Sequence, residues 1–293
     1  LVLKQLGVDL RHGDIRCPSD LELLPAVDWV IDASALPSVL AGSEQPGASR
    51  QLMEINLVGT LNLLEYCRHH YAGFALISTN RVYSIPALNK IPLQEGATRF
   101  QLDPNQPFPD GFSSAGISET FSTAPPVSLY GASKLATETV AREYGQAFNF
   151  PVWINRCGIL AGEGQFGRAD QGIIAFWLNT WLNKHPLKYI GYGGRGLQVR
   201  DCLHPFDLGN LLTLQMACET KLKSNVFNVG GGTDWIFSLR ELSDWCPSRW
   251  ASHAVESEPA DRANDAPWLT MDTTLCRETF DWTPTIKLNQ ILT

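Results

Sequence analysis

Positive charge is scarce in this chain: 23 Lys and Arg stand against 30 Asp and Glu, a formal net charge of -7 over 293 residues. Tracking a nucleic-acid backbone or lying on an anionic membrane needs a cationic surface, so neither partner is expected. An anionic ligand would have to be met by a few local arginines. Long apolar runs are also missing, and none reaches the ~18 residues of a membrane-spanning helix. The first ten residues carry Lys4 and Asp9 and no cleavage site, which is not the pattern of a signal peptide. There is no Cys-x-x-Cys pair. The seven cysteines (Cys17, Cys67, Cys157, Cys202, Cys218, Cys246, Cys276) are odd in number and widely spaced, the pattern of reduced thiols in a cytoplasm. Neither they nor the six histidines show metal-ligand spacing, so no metal is expected. Internal repeats and low-complexity tracts are absent. The first residue is not methionine and no glycine-rich turn precedes Gly7, so the expectation is a record that starts inside a longer chain.

What is present is a globular composition, 44% hydrophobic and 18% charged, enough for a sizeable core. Residues 1–15 read as a helix tail and a short strand. Residues 28–31 form a buried strand that stops at the small residues Ala33, Ser34 and Ala35, where a ligand can approach backbone. After a Gly/Ser/Pro loop at 40–49, the spacing of Leu52, Ile55, Leu57, Leu61 and Leu64 predicts a helix with one wide buried face, Asn56 and Asn62 within it. Strands follow at 73–78 and 151–154, with a helix over 130–148 between them. Strands alternating with helices imply a parallel α/β sheet, whose ligands bind beyond the strands' carboxyl ends. Residues 84–127, rich in Pro, Gly, Ser and Asn, predict an irregular insertion at the lip of a pocket. Further on, helices are expected at 173–183, 207–217, 239–245 and 273–280, strands at 187–190, 197–199 and 225–229, and a polar loop at 256–267.

Three groups of residues carry chemistry. Tyr130-Gly131-Ala132-Ser133-Lys134 sets a phenol and an ammonium one turn apart on one helix face. A tyrosine titrates near pH 10, and a neighbouring cation that lowers it by ~3 units, about 4 kcal/mol, would make it a proton acceptor at neutrality. The plain alternative is a surface Tyr and Lys. Ser78-Thr79, ending a strand, brings a hydroxyl toward the same crevice or simply caps the strand end. Arg200 and Arg262 are candidates for a phosphate, or else ordinary ion pairs. Gly191, Gly193 and Gly196 match G-x-G-x-x-G, but Leu197-Gln198-Val199 continues as strand where a dinucleotide loop needs a helix, so the motif reads as a β-hairpin turn. His204 reads as structural.

With these residues the chain resembles the extended short-chain dehydrogenase/reductases of the NAD-dependent epimerase/dehydratase family that act on nucleotide sugars, and within them the CDP-paratose 2-epimerase group. The resemblance runs through Gly13-Asp14-Ile15, Asn56 with residues 59–65, residues 78–83, Tyr130 to Lys134, Gly164-Gln165-Phe166 with Asp170-Gln171-Gly172, and residues 198–201. It implies a Rossmann-like doubly wound sheet over 1–160, with 201–232 packing back on it, and a smaller nucleotide-sugar-binding domain from 161–200 and 233–293. It implies bound NAD, bordered by Asp14 and Ile15 at the adenine, by Ala33, Ser34, Ala35 and Asn56, and by Tyr130 and Lys134 at the nicotinamide ribose. Thr79, Tyr130 and Lys134 would serve catalysis, Thr79 and Tyr130 at the reacting sugar oxygen; Gln165, Gln171, Arg200 and Arg262 would face the nucleotide-diphosphate sugar. A homo-oligomer is implied by the same analogy. Two features depart from the family pattern: the N-terminal strand, glycine loop and ribose-binding acid are absent, and Ser34-Ala35-Leu36 replaces the usual small-Ala-Ala-Gln run. The implied reaction is epimerisation through a transient keto sugar. A 4-epimerase, or a fold-related protein that binds without catalysis, remains an alternative, whereas a 4,6-dehydratase is disfavoured because Asn80-Arg81 follows Thr79 where an Asp-Glu pair is needed.

Overall fold

The computed structural model describes residues 2–43, 45–219 and 225–293. Leu1 and Glu44, within the expected helix tail and the loop at 40–49, lie outside them. At the centre is a parallel sheet in the order Trp29–Asp32, Gly73–Thr79, Val152–Cys157, Val226–Val229. Alternation along the second strand sorts its side chains between two faces. Phe74 and Leu76 join Leu63, Leu64 and Tyr66 of the helix Thr60–His70 and Ala141 of the helix Ser128–Phe148. Ala75 points the other way, with Trp153 and Phe227, toward Leu208, Leu211 and Leu212 of the helix Pro205–Met216 and Phe280 of Thr274–Phe280. Helices on both faces leave the two central strands buried except at the partly exposed Ile77, which is why they read as near-continuous apolar runs. No described helix is long and apolar enough to cross a membrane.

The helix expected from Leu52 is built in three pieces: Ala48–Met53, a π turn Glu54–Gly59, and Thr60–His70. A widened turn pulls backbone carbonyls away from their usual donors. That of Asn56 is taken instead by the hydroxyls of Thr60 and Thr137, each at 3.0 Å. Its side chain is equally committed, accepting from the Leu36 amide at 2.8 Å and donating to Ser133 Oγ at 3.0 Å.

Four expectations are corrected. Residues 8–14 form no strand; the Asp14 amide donates to the Asp20 carboxylate at 2.8 Å instead of to a strand neighbour. The insertion 84–127 is not the lip of the cleft. Two short hairpins, Leu93–Glu95 with Phe100–Leu102 and Phe112–Ser113 with Gly116–Ile117, carry Phe100, Phe112, Ile117 and Phe121 into a core with Leu197, Val199, Trp268 and Met271. Its aromatics outweigh its prolines in deciding where it goes. The glycines at 191–196 do not turn a hairpin: Leu187–Ile190 pairs in parallel with Val255–Glu258, whereas Val199–Leu203 pairs with Ile236–Ser238, Trp268–Leu269 and Ile159–Leu160. The flanking strands therefore belong to different sheets. Finally, Val255–Glu258 is a strand where a polar loop is expected through 256–258, because Leu187–Ile190 offers it an edge.

Candidate active site

Gly73–Thr79 and Val152–Cys157 end in register, Thr79 opposite Cys157, and beyond them opens a cleft of about 650 Å³. Ala33 and Ala35 line it from the end of the first strand, Thr79 and Arg81 from the second, and Tyr130 from the helix start. Gln165, Gln171, Arg200 and Arg262 line it from the opposite side. The sequence separates these residues widely, and the sheet brings them to one place. Asp14, Ile15, Ser34, Asn56 and Lys134 are not part of the cleft wall. Asp14 is held by Arg16 in an ion pair at 2.5 Å, and this hydrogen-bonded guanidinium lowers its carboxyl to about 2. Ile15 sits against Gly59, where an added Cβ would come within 2.4 Å of it, and its carbonyl accepts from Asn62 at 2.8 Å. Ser34 donates to the Asp32 carboxylate at 2.5 Å, and Asn56 braces Leu36 against Ser133 from beneath.

Thr79 both caps and lines: its Oγ1 accepts from the Arg81 amide at 3.2 Å, opening the turn Asn80–Val82. Ser78 also borders the cleft but commits its hydroxyl, donating at 2.5 Å to Glu138, whose carboxylate is held by Arg156 at 2.7 Å. Tyr130 is 7% exposed, and burial raises its phenol above the usual value, against the lowering pull of the Thr79 hydroxyl and the Arg81 cation. Lys134 is 1% exposed and donates no hydrogen bond among the described residues. Burial lowers its ammonium, while Asp32 and Glu138 hold it up. At the phenol burial comes first, and the Thr79 hydroxyl and then the Arg81 cation oppose it.

Arg200 is spoken for by Asp265 at 2.6 Å and by the carbonyls of Val199 at 2.7 Å and Ala266 at 2.8 Å. Its ion pair is largely buried and belongs to the cleft wall. Arg262 lines the cleft with no ion pair among the described residues. Two acceptors in the same wall lack donors among the described residues: Gln165 and Gln198 give their amide nitrogens to the carbonyls of Leu160 and Ile190, leaving both Oε1 atoms buried and unpartnered there. His204 is structural, accepting from the Phe206 amide at 3.1 Å as a helix cap. Sequence reasoning missed Arg81, Asp265 and Gln198 as cleft residues. The available signal was an arginine two positions after a strand-ending threonine; nothing local announced the other two. No cluster of three or more potential metal ligands is found among the described residues.

The profile of the NAD dependent epimerase/dehydratase family matches residues 3–230. The CDP-paratose 2-epimerase of Salmonella typhi is 28% identical over 296 residues, spanning 97% of this chain and 82% of its own length. The UDP-glucose 4-epimerase of Mycoplasma pneumoniae is 24% identical over 276 residues, spanning 90% and 74%. Among solved structures, the UDP-glucuronic acid 4-epimerase from Bacillus cereus, in complex with UDP-glucuronic acid and NAD, has a TM-score of 0.71 at 22% identity, over 99% of this chain and 82% of that one. The Thermus thermophilus UDP-glucose 4-epimerase complex with NAD also gives 0.71, at 23% identity, over 96% and 81%. These structural likenesses establish the fold.

Proposed function

The chain belongs to the NAD dependent epimerase/dehydratase family, and from that premise we propose that it epimerises one carbon of a nucleotide-diphosphate sugar through a transient ketone, in the manner of CDP-paratose 2-epimerase. The observation that carries this reading is the single cleft that joins Thr79 and Tyr130 to Arg200 and Arg262. The first pair suits a reacting hydroxyl and the second a diphosphate.

The residues at the strand ends fit the nicotinamide half of NAD. Ala33 and Ala35 add no bulk beyond a methyl group, and Lys134 is a buried donor without an acceptor among the described residues, which a ribose hydroxyl would supply. Tyr130 and Lys134 would hold that ribose, Ala33 to Ala35 would flank the cofactor, and Asp14 and Ile15 would border the adenine. Asn56 contributes from beneath, by fixing Leu36. When bound, NAD supplies reversible removal and return of a hydride at one sugar carbon.

The chain's own residues do the rest. The Tyr130 oxygen accepts the proton of the sugar hydroxyl and later returns it, so no proton is gained or lost overall. Thr79 Oγ1 steadies the reacting oxygen. Arg262 offers a free guanidinium to the diphosphate, and Arg200, locked by Asp265, presents what remains of its fork. The orphaned Oε1 atoms of Gln165 and Gln198 accept from ligand hydroxyl or amino groups; buried acceptors are costly when unpaired.

A 4-epimerase is the second reading, because the same Thr79, Tyr130 and Lys134 would act at C4 if the sugar sat differently. Dehydration is disfavoured by the wall itself. Its carboxylates are Asp170 and Asp265, the latter paired to Arg200, and none follows Thr79 in the turn. The test is incubation of the protein with NAD and CDP, UDP or GDP sugars in ordinary and deuterated water, read by mass spectrometry and NMR. Epimerisation gives an isomer of unchanged mass, without net NADH. Water loss with deuterium incorporation would mean a dehydratase, and stoichiometric NADH a dehydrogenase. No turnover of any sugar would favour a protein that only binds.

A further inference from the structure

Four asparagines are buried among the described residues: Asn56, Asn80, Asn155 and Asn228. Three of them are engaged by protein. Asn56 joins Leu36 to Ser133, Asn155 exchanges two hydrogen bonds with Gln215, and Asn228 accepts from the Tyr83 phenol at 2.6 Å and donates to the Ile117 carbonyl at 2.7 Å. The Asn80 side chain makes no hydrogen bond among the described residues, although the residue is only 6% exposed. A buried amide without partners is costly. Its atoms are not sealed in protein as the Oε1 atoms of Gln165 and Gln198 are. Asn80 lines the cleft, and the cleft is where its amide opens.

The backbone holds it there. Thr79 caps the turn Asn80–Val82 by accepting from the Arg81 amide, and the Tyr83 amide donates to the Asn80 carbonyl at 3.4 Å. The turn is pressed against the start of the helix Ser128–Phe148, where a Cβ on Gly131 would lie 2.2 Å from the Arg81 carbonyl oxygen. Asn80 therefore shares the end of the cleft that holds Thr79 and Tyr130, across from Arg200 and Arg262. An amide has no charge to offer a phosphate. It both donates and accepts, which matches hydroxyl groups.

We infer that Asn80 is a sugar-binding residue, its amide bridging adjacent oxygens of the sugar ring, Nδ2 donating to one and Oδ1 accepting from the next. This rests on the reading of the cleft as a nucleotide-sugar site. Being neutral, the amide holds these oxygens without giving a proton to either, and the proton chemistry stays with Tyr130.

The test is calorimetric titration of the chain, with NAD added, by CDP and CDP-glucose and by UDP and UDP-glucose, beside an NAD titration and a thermal melt. The ratio of the sugar-bearing to the sugar-free affinity isolates the sugar contact. Asn80→Leu, of similar volume, should lower that ratio roughly tenfold, the range for two neutral hydrogen bonds. Affinity for the bare diphosphates and for NAD, and the melting temperature, should stay as they are. An unchanged ratio would overturn the inference. So would a selective loss of NAD affinity, which would give the amide to the cofactor, and so would a lowered melting temperature with all affinities reduced alike, which would make Asn80 structural. Should Asn80→Leu fail to fold, Asn80→Ala answers the same question. Native chain that binds neither the diphosphates nor their sugars would remove the epimerase reading and this inference with it, whereas an unchanged ratio in the variant removes this inference alone.

Discussion

Burial acts on Tyr130 and on Lys134 in opposite senses, raising the phenol and lowering the ammonium, because each charged form loses water. Both shifts favour the neutral form of the group. In the NAD-loaded protein, Tyr130→Phe removes one oxygen and should cut turnover by roughly 10² or more, with fold and cofactor affinity retained. Thr79→Val should cost less, as the hydroxyl only steadies. A calorimetric NAD titration beside the rate assay separates the two effects, and full activity in Tyr130→Phe would remove the tyrosine from the mechanism. Asp201 makes a different prediction. It is wholly buried, with Gly158 and Gly230 leaving no room for a Cβ beside its carboxylate, and burial lifts it from 3.8 to about 7. A raised folded value favours the protonated form, so its stabilising contribution is full below 3.8 and is lost as pH rises toward 7. Asp201→Asn should thus gain on the native chain between pH 5 and 8, by up to about 3 kcal/mol for ~2 pH units. Denaturant melts at both pH values check this, and a constant difference would refute it.

Within the helix Ser128–Phe148, Tyr130 meets the cleft, Gly131 the turn at 80–82, and Glu138 the strand behind. Gly131→Ala tests the second of these. Helix propensity alone would make alanine the better residue by ~1 kcal/mol. A Cβ 2.2 Å from the Arg81 carbonyl reverses the sign, since backbone must shift to relieve it. The expected outcome is a lower melting temperature and a turnover loss that exceeds the loss of NAD affinity. Glu138 is the element's buried anchor, bound by Arg156 and Ser78 with its side chain 3% exposed. Glu138→Gln strands a buried guanidinium and should cost about 3–5 kcal/mol in chemical unfolding. The π turn Glu54–Gly59 belongs to the same scale, because it is what turns Asn56 toward both Leu36 and the Tyr130 helix.

At the scale of the molecule, the insertion at 84–127 clamps the strand Val199–Leu203 and the segment around Trp268 through a shared apolar core, and so fixes Arg200 opposite Thr79 and Tyr130. Arg200→Ala and Arg262→Ala should raise KM more than they lower kcat, since a diphosphate contact made equally in ground and transition states is uniform binding. Steady-state kinetics with the sugar found to turn over decides it, and a pure kcat loss at both positions would contradict the assignment. Arg200→Ala should also destabilise the protein, leaving Asp265 unpaired, whereas Arg262→Ala should not. Much of this architecture is legible before folding. Apolar runs and periodicity mark the strands at 73–78 and 151–154 and the helix at 130–148, each within a few residues of the observed element, and Tyr130, Lys134 and Thr79 stand out because their spacing or strand-end position is local. Periodicity and one-turn spacing are properties of neighbouring residues, and the sequence alone determines them. The partners are another matter. That Arg81 lines the cleft, that Arg200 is locked by Asp265, that the glycines of 191–196 join two sheets, and that the proline-rich insertion is core are decided by the tertiary structure. Each depends on chain segments remote in sequence meeting across a cleft or a sheet edge, and on how much water that meeting removes.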